Sequence, residues 1–450
     1  MSAKNSTVHL GPAKAVQSKR GARAIVQSVW SKSAILALQA CTGVLTAREL
    51  GPNGRGELAA MILWPLLVAN VTTFGLPSAL IYHFRNGSED RRRLAGNGLL
   101  ASFVIGAVAA GVAAIVLPFW LHKYSQTVIH FAQLFLLTVP ICSVTLAGRA
   151  ILEADHQFSA SNLVQLFTPL STLAFLVLFL AMHMLDPFTA ALAYIMASLP
   201  SLGYMLFCEA RLGYTWARPQ FRVVRQMLQY GVRSYGIDIL GTLSLQVDQV
   251  LVVALLSAEA MGSYVVVLSV SRMLNVFQNS AVMILFPKAA GREPEEVLAL
   301  TGKCVRLSGL VSALAGCLIC VMGHSLLRIV YGAAYDAATG TLYILVLEAV
   351  LSGVTFVLAQ AFMALNRPGT ITLVQAIGLS LSVPLMLWLI PSYGPYGAAI
   401  SLLISTATRL LFVCAGFRFV LKQRRPRLIP SFSDVALLLD HWAIPLRENI

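Results

Sequence analysis

The chain has 450 residues, of which 57% are hydrophobic and only 12% charged, with a formal net charge of +14. A soluble domain carries roughly twice that share of charge, so this composition excludes an ordinary soluble enzyme, a disordered chain and a disulfide scaffold. What remains is a polytopic membrane protein, and long apolar runs without period-two alternation point to helices of about 20 residues rather than to a β-barrel.

Residues 1–22 are polar and basic with no apolar core, and read as a cytoplasmic tail rather than a signal peptide. Apolar runs follow at 24–47, 57–83, 94–121, 128–153, 160–183 and 188–212. After a polar linker at 213–228 they resume at 229–256, 260–286, 303–330, 340–364, 370–391 and 395–420, giving twelve expected spans. A basic tail at 421–450 closes the chain. Its cluster at 422–427 suits anionic head groups, and Ser433 is placed to cap a short amphipathic helix at 434–442.

Lys and Arg are distributed unevenly over the alternate loops. One set holds Arg91, Arg92, Arg93, Arg211, Arg218, Arg222, Lys288, Arg292, Arg418 and Lys422, among others; the opposite set holds only Arg48, Arg55, Lys123 and Arg328. By the positive-inside rule both termini are cytoplasmic. A repeat runs through the same pattern. Gly56, in the turn after the first span, aligns with Gly262 in the turn after the seventh at an offset of 206, and Leu163, Val164 and Gln165 align with Leu373, Val374 and Gln375 at an offset of 210. Residues 23–212 and 229–420 are therefore expected to form two six-helix bundles related by an axis along the membrane normal, with a solute path between them.

Few charges lie deep in the spans, where each costs several kcal/mol and needs a reason. Asp248 and Arg272 lie at depths that differ by only ~6 Å, within reach of one another. Arg272, Asn275 and Asn279 recur at helical spacing on one face, Asp238, Thr242 and Gln249 form a second polar arc, and Glu348, Ser352 and Thr355 a third. The functional reading is a wet, positively biased cavity in which Arg272, Asn275 and Asn279 bind an anion while Asp248, Glu348 and Asp238 couple an ion or proton. The plainer reading is a buried Asp248–Arg272 pair that fixes helix packing. Arg149 and Glu153, four residues apart, read as a local surface pair. The glycine turn lacks the Lys-Ser/Thr of a phosphate loop, and Cys317, Cys320 and His324 lack a fourth ligand, so neither a nucleotide nor a metal cofactor is expected. The basic residues sit between apolar runs as topology signals, and nucleic acid is not an expected partner.

The turn from Leu50 through Gly51, Pro52, Asn53, Gly54, Arg55 and Gly56, the run Val247, Asp248, Gln249, Val250, Leu251, the run Leu285, Phe286, Pro287, and the later turns at Tyr331–Gly332 and Tyr393, Gly394, Pro395 together carry a resemblance. Over about residues 25–420 the chain resembles the oligosaccharide-lipid flippases of the multidrug/oligosaccharidyl-lipid/polysaccharide exporter superfamily. The resemblance implies an all-α, MATE-like fold of two six-helix bundles in a V. It implies alternating-access transfer of a polyprenyl-diphosphate-linked oligosaccharide across the bacterial cytoplasmic membrane, without catalysis, beside membrane lipids and other polysaccharide-assembly proteins. It also implies arginines lining the cavity: Arg272 first, then Arg149 and Arg48 nearer the span ends. The rival readings are a drug/cation antiporter of the same superfamily, a membrane glycan polymerase or ligase, and a non-transporting scaffold.

Overall fold

The computed structural model describes residues 12–87, 90–214, 218–289, 291–423 and 425–428. The short helix expected at 434–442 lies outside the described residues. In chain order the helices are α1 (Pro12–Val71), α2 (Leu76–Asn86), α3 (Arg91–Trp120), α4 (Gln126–Phe135), α5 (Val139–Ala154), α6 (Phe158–Ala181) and α7 (Pro187–Arg211). They continue as α8 (Phe221–Leu255), α9 (Ala258–Arg272), α10 (Asn275–Ala289), α11 (Pro294–Leu326), α12 (Thr339–Ala364), α13 (Pro368–Tyr393) and α14 (Pro395–Phe419). Every expected apolar run falls on one of them or, for 57–83, 128–153 and 260–286, on two in succession. α1 begins earlier than expected, at Pro12, within a stretch of Ala, Lys, Gln and Arg, all strong helix formers.

Nine helical segments among the described residues are long and apolar enough to cross a membrane, or ten when Trp30–Val71 and Leu76–Asn86, bent by 42°, count as one. Gly51, at φ +64°, interrupts α1. The helix on its near side therefore answers to the first expected span, and the helix on its far side, with α2, to the second. The shorter apolar stretch Ile239–Leu255 of α8 answers to the seventh. The protein is a multi-pass, all-helical membrane protein, and twelve crossings are consistent with this arrangement.

Contacts between turns define two ends. At one end Arg91 pairs with Asp155 at 3.0 Å, Phe84 meets Tyr214 at a ring separation of 5.6 Å, and Asn97 accepts the Gln220 N–H at 2.6 Å. This is the basic end. At the other, Gly54 packs on Pro187, Gly56 on Ala258 and Gly340 on Tyr396. This is the glycine end, where the few cations of the sparse set lie. One apolar cluster runs through the middle and joins Leu58, Met61 and Trp64 of α1 to Val252 of α8, Tyr264 and Val267 of α9 and Leu342 of α12. Large apolar side chains such as Ile115, Phe119, Val321 and Trp388 are 72%, 78%, 85% and 73% exposed. In water such a surface would aggregate; in a bilayer it is the lipid-facing belt.

Three departures from regular helix position the site. Phe74 (φ 45°) and Gly75 (φ 70°) break the second span, and a Cβ on Gly75 would stand 2.3 Å from the Gly231 carbonyl oxygen, so α2 is tied to α8 at backbone contact. The eighth span breaks at Met273–Leu274, directly after Arg272, with i→i+3 bonds from Met273 N to Val270 O and from Leu274 N to Ser271 O. The ninth span ends in a π-helical turn, Leu327–Tyr331, a geometry that concentrates at functional sites.

Candidate solute-binding site

Asp248 of α8 is 1% exposed. Its Oδ2 accepts the Tyr264 hydroxyl of α9 at 2.9 Å and pairs with Arg272 Nη2 at 3.3 Å, while its Oδ1 has no hydrogen-bond partner. Arg272 Nη2 also donates to the Leu245 carbonyl at 2.9 Å. The Arg272 side chain is 37% exposed: Nη2 is held by α8, and the rest of the side chain borders open space. It opens onto a cavity of about 240 Å³ bounded by Leu36, Gln39 and Ala40 of α1, Gln249 of α8, and Val265, Leu268 and Ser269 of α9. The expected Asp248–Arg272 proximity is present, and Arg272 faces an inter-helical gap in which Gln39, Gln249 and Ser269 stand among apolar side chains.

A second polar centre lies on α12 and α14. Arg409 Nη2 donates to Thr406 Oγ1 at 2.6 Å, and Thr406 donates to Glu348 Oε1 at 2.7 Å. Glu348 also lies in the field of Arg272 and Asp248. Sequence reasoning left Glu348 without a charged partner and missed Arg409, whose side chain lies over Gly378; a Cβ there would come within 2.5 Å of Arg409 Cδ. The mid-depth cations are thus matched one to one by carboxylates. The expected cation and carboxylates occur together, and an anion at the open face of Arg272 would compete with Asp248 for its charge.

The other expected residues are dispersed. Asn275 is half-buried and Asn279 exposed. A tightened turn at Met273–Leu274 separates both from Arg272 within one span, Ala258–Met283. On α10 the inward residue is Gln278, which bonds Ser312 at 2.7 Å. Arg149 is half-buried and pairs with Glu153 at 3.6 Å, as the local reading holds. Arg48 donates to the Ile329 carbonyl on the π-turn, away from the Arg272 cavity. The Asp238 side chain lies outside the described ones. Glu209, passed over in the sequence, is 1% exposed with neither carboxylate oxygen hydrogen-bonded, and stands over Gly148.

A separate cavity of about 790 Å³ lies between α1, α3 and α8 and is walled by apolar residues such as Trp64, Val108, Val112 and Val247. At the glycine end the two halves meet backbone to backbone. A Cβ on Gly56 would lie 1.7 Å from the Ala258 oxygen, and one on Gly262 1.9 Å from the Pro52 oxygen. The two contacts are related by the same 206-residue offset that aligns the turns, so equivalent positions touch each other across the seam.

A sequence profile for polysaccharide biosynthesis proteins matches residues 45–340, which covers both partners of this seam and the α8 and α9 walls of the Arg272 cavity. The chain belongs to the polysaccharide biosynthesis protein family. Within a stretch of 202 residues it is 24% identical to a probable low-salt glycan biosynthesis flippase, Agl15, of Haloferax volcanii; the match covers 44% of this chain and 43% of that flippase. Among solved structures, a lipid II flippase, MurJ, in an inward closed conformation superposes with a TM-score of 0.75 at 12% identity, covering 95% of this chain and 93% of the other. An inward-facing multidrug resistance MATE transporter of the MOP superfamily gives 0.64 at 12% identity over 85% and 93%. At such identities the likeness is one of fold. This member of the polysaccharide biosynthesis family has the MurJ/MATE fold, with its mid-depth charges concentrated on α8, α9, α12 and α14.

Proposed function

We propose that the chain carries a polyprenyl-diphosphate-linked oligosaccharide across the bacterial cytoplasmic membrane by alternating access, with the basic end and both termini in the cytoplasm, and that it does so as a transporter without catalysing a covalent step. The observation that carries this reading is Arg272, a cation held at mid-depth beside Asp248 and open to a gap that Gln39, Gln249 and Ser269 share with apolar side chains, in a chain of the polysaccharide biosynthesis family. Two bundles, 23–212 and 229–420, swing about the seam. The anionic head group engages Arg272 and displaces Asp248, which then takes up a proton or cation, so Asp248, Glu348 and Asp238 are the coupling groups. The apolar cavity between α1, α3 and α8 accommodates part of the lipid tail. Membrane lipids and other polysaccharide-assembly proteins are the partners.

Volume argues that the state seen is closed. A water occupies roughly 30 Å³ of liquid and ligand sites run from about 300 Å³ upward, so a cavity of 240 Å³ admits a phosphate group and a few waters but no oligosaccharide. Arg272→Gln is expected to abolish surface glycan in cells that depend on this chain while the protein still inserts. Asp248→Asn with Arg272→Gln removes both charges and serves as the fold control, since the single change would strand the buried Asp248 carboxylate. Normal glycan in the Arg272→Gln cells contradicts the proposal. Drug resistance conferred by the wild-type chain, without glycan export, would favour the antiporter.

A further inference from the structure

Arg55 is at the wrong end and in the wrong place for a topology signal. It belongs to the cation-poor set, yet it is only 7% exposed. Its Nε and Nη1 have no hydrogen-bond partner, and no carboxylate pairs with it among the described residues. Gly54 and Gly56 on either side are pressed against Pro187 and Ala258, which pins Arg55 into the seam. It also stands four residues past the Gly51 break, in the first turns of the following helix. There the free N–H groups add positive potential, and a cation is disfavoured. A second helix start, that of α9, abuts the same point through the Gly56–Ala258 contact. A buried cation without a counter-charge, beside two helix N-termini, is costly in this closed form and is an attractive place for an anion.

The surroundings connect Arg55 to the Arg272 cavity. Tyr331 and Tyr335 both lie in the field of the Arg55 guanidinium. Tyr335 donates to the Ala47 carbonyl at 3.1 Å across the seam. The Tyr331 hydroxyl reaches Ser269, whose own hydroxyl donates to the Val266 carbonyl at 2.7 Å. Ser269 and Arg272 line the same cavity, and they are three residues apart on α9, ~4.5 Å along its axis.

We propose that Arg55 is a second anion-binding residue, which takes over the diphosphate of the lipid-linked substrate from Arg272 when the seam at the glycine end opens. It rests on the flippase reading and extends it to the exit side. The site does not exist as a cavity while the halves are closed; it forms as Gly56 and Gly262 part and Arg55 gains water and an anion together.

The test uses the full chain in nanodiscs, titrated with farnesyl diphosphate, with farnesol and inorganic pyrophosphate as the comparison arms. Arg55→Met is expected to weaken farnesyl diphosphate binding by about tenfold or more, the loss of a charge-assisted bond, to leave farnesol binding unchanged, and to keep or raise the ligand-free melting temperature because an unpaired buried charge has been removed. Arg55→Lys should recover part of the affinity. Farnesyl diphosphate binding by Arg55→Met at the wild-type level overturns the inference, and so does a fall in melting temperature that accounts for the lost binding. If pyrophosphate binds as tightly as farnesyl diphosphate, the lipid-linked source is wrong. If Arg272→Gln loses affinity while Arg55→Met does not, the role of Arg55 fails and the flippase reading stands. If the wild-type chain ignores farnesyl diphosphate altogether, both fall.

Discussion

Thr406 shows how a single hydroxyl organises charge. It accepts from Arg409 and donates to Glu348, so it orients both without being charged itself. Thr406→Val keeps the shape but removes the relay and leaves two groups short of a partner, at a cost of about 1–3 kcal/mol. A lowered melting temperature in detergent, recovered in Thr406→Ser, is the expected result. The sequence made Asp248 and Arg272 legible because insertion cost singles out deep charges. It did not do so for Arg409, which lies ten residues before the end of α14, Phe419, and which a linear reading merges with the basic residues that follow. Arg55 was legible as a residue and illegible as a buried one. Its burial comes from glycines of two distant turns meeting, and nothing local announces that.

Among the elements, the interrupted spans divide in the same way. The break at Phe74–Gly75 has a local cause in glycine's tolerance of positive φ. The break after Arg272 has neither Gly nor Pro at Met273–Leu274, so no local signal marks it. Its effect is to tighten the turn between Arg272 and Asn275. The seam glycines make the sharper prediction. Gly262→Ala puts a methyl 1.9 Å from the Pro52 oxygen, which backbone cannot yield to without shifting. The glycine end is then expected to stay apart. Spin labels on exposed positions of the first and seventh turns should report a longer distance than in the wild type; an unchanged distance contradicts the assignment of this contact as the closure.

For the whole molecule, hydropathy reads out an all-helical, multi-pass chain and the order of its apolar runs, because the bilayer imposes helices and lengths that sequence obeys directly. The charge balance of the interior was not accessible in this way, since it depends on which helix faces which. It changes the physical account: Asp248 beside Arg272 weakens the pull of that cation on an anion until the pair separates. On the proposed reading Arg272 both attracts and releases the anion, with Asp248 competing for it. Loss of Asp248 should accordingly tighten anion binding and slow transfer. Asp248→Asn is expected to bind farnesyl diphosphate more strongly than wild type while exporting less glycan, and equal affinity with equal export would argue that the pair only fixes packing.

The most direct measurement is transfer itself. Purified chain in sealed vesicles, with a fluorescent polyprenyl-diphosphate sugar placed in one leaflet, reports the fraction reaching the other by its accessibility to an impermeant quencher. Wild-type chain should move the label well above protein-free vesicles and Arg272→Gln should not. Equal rates for wild type, Arg272→Gln and protein-free vesicles would contradict the account.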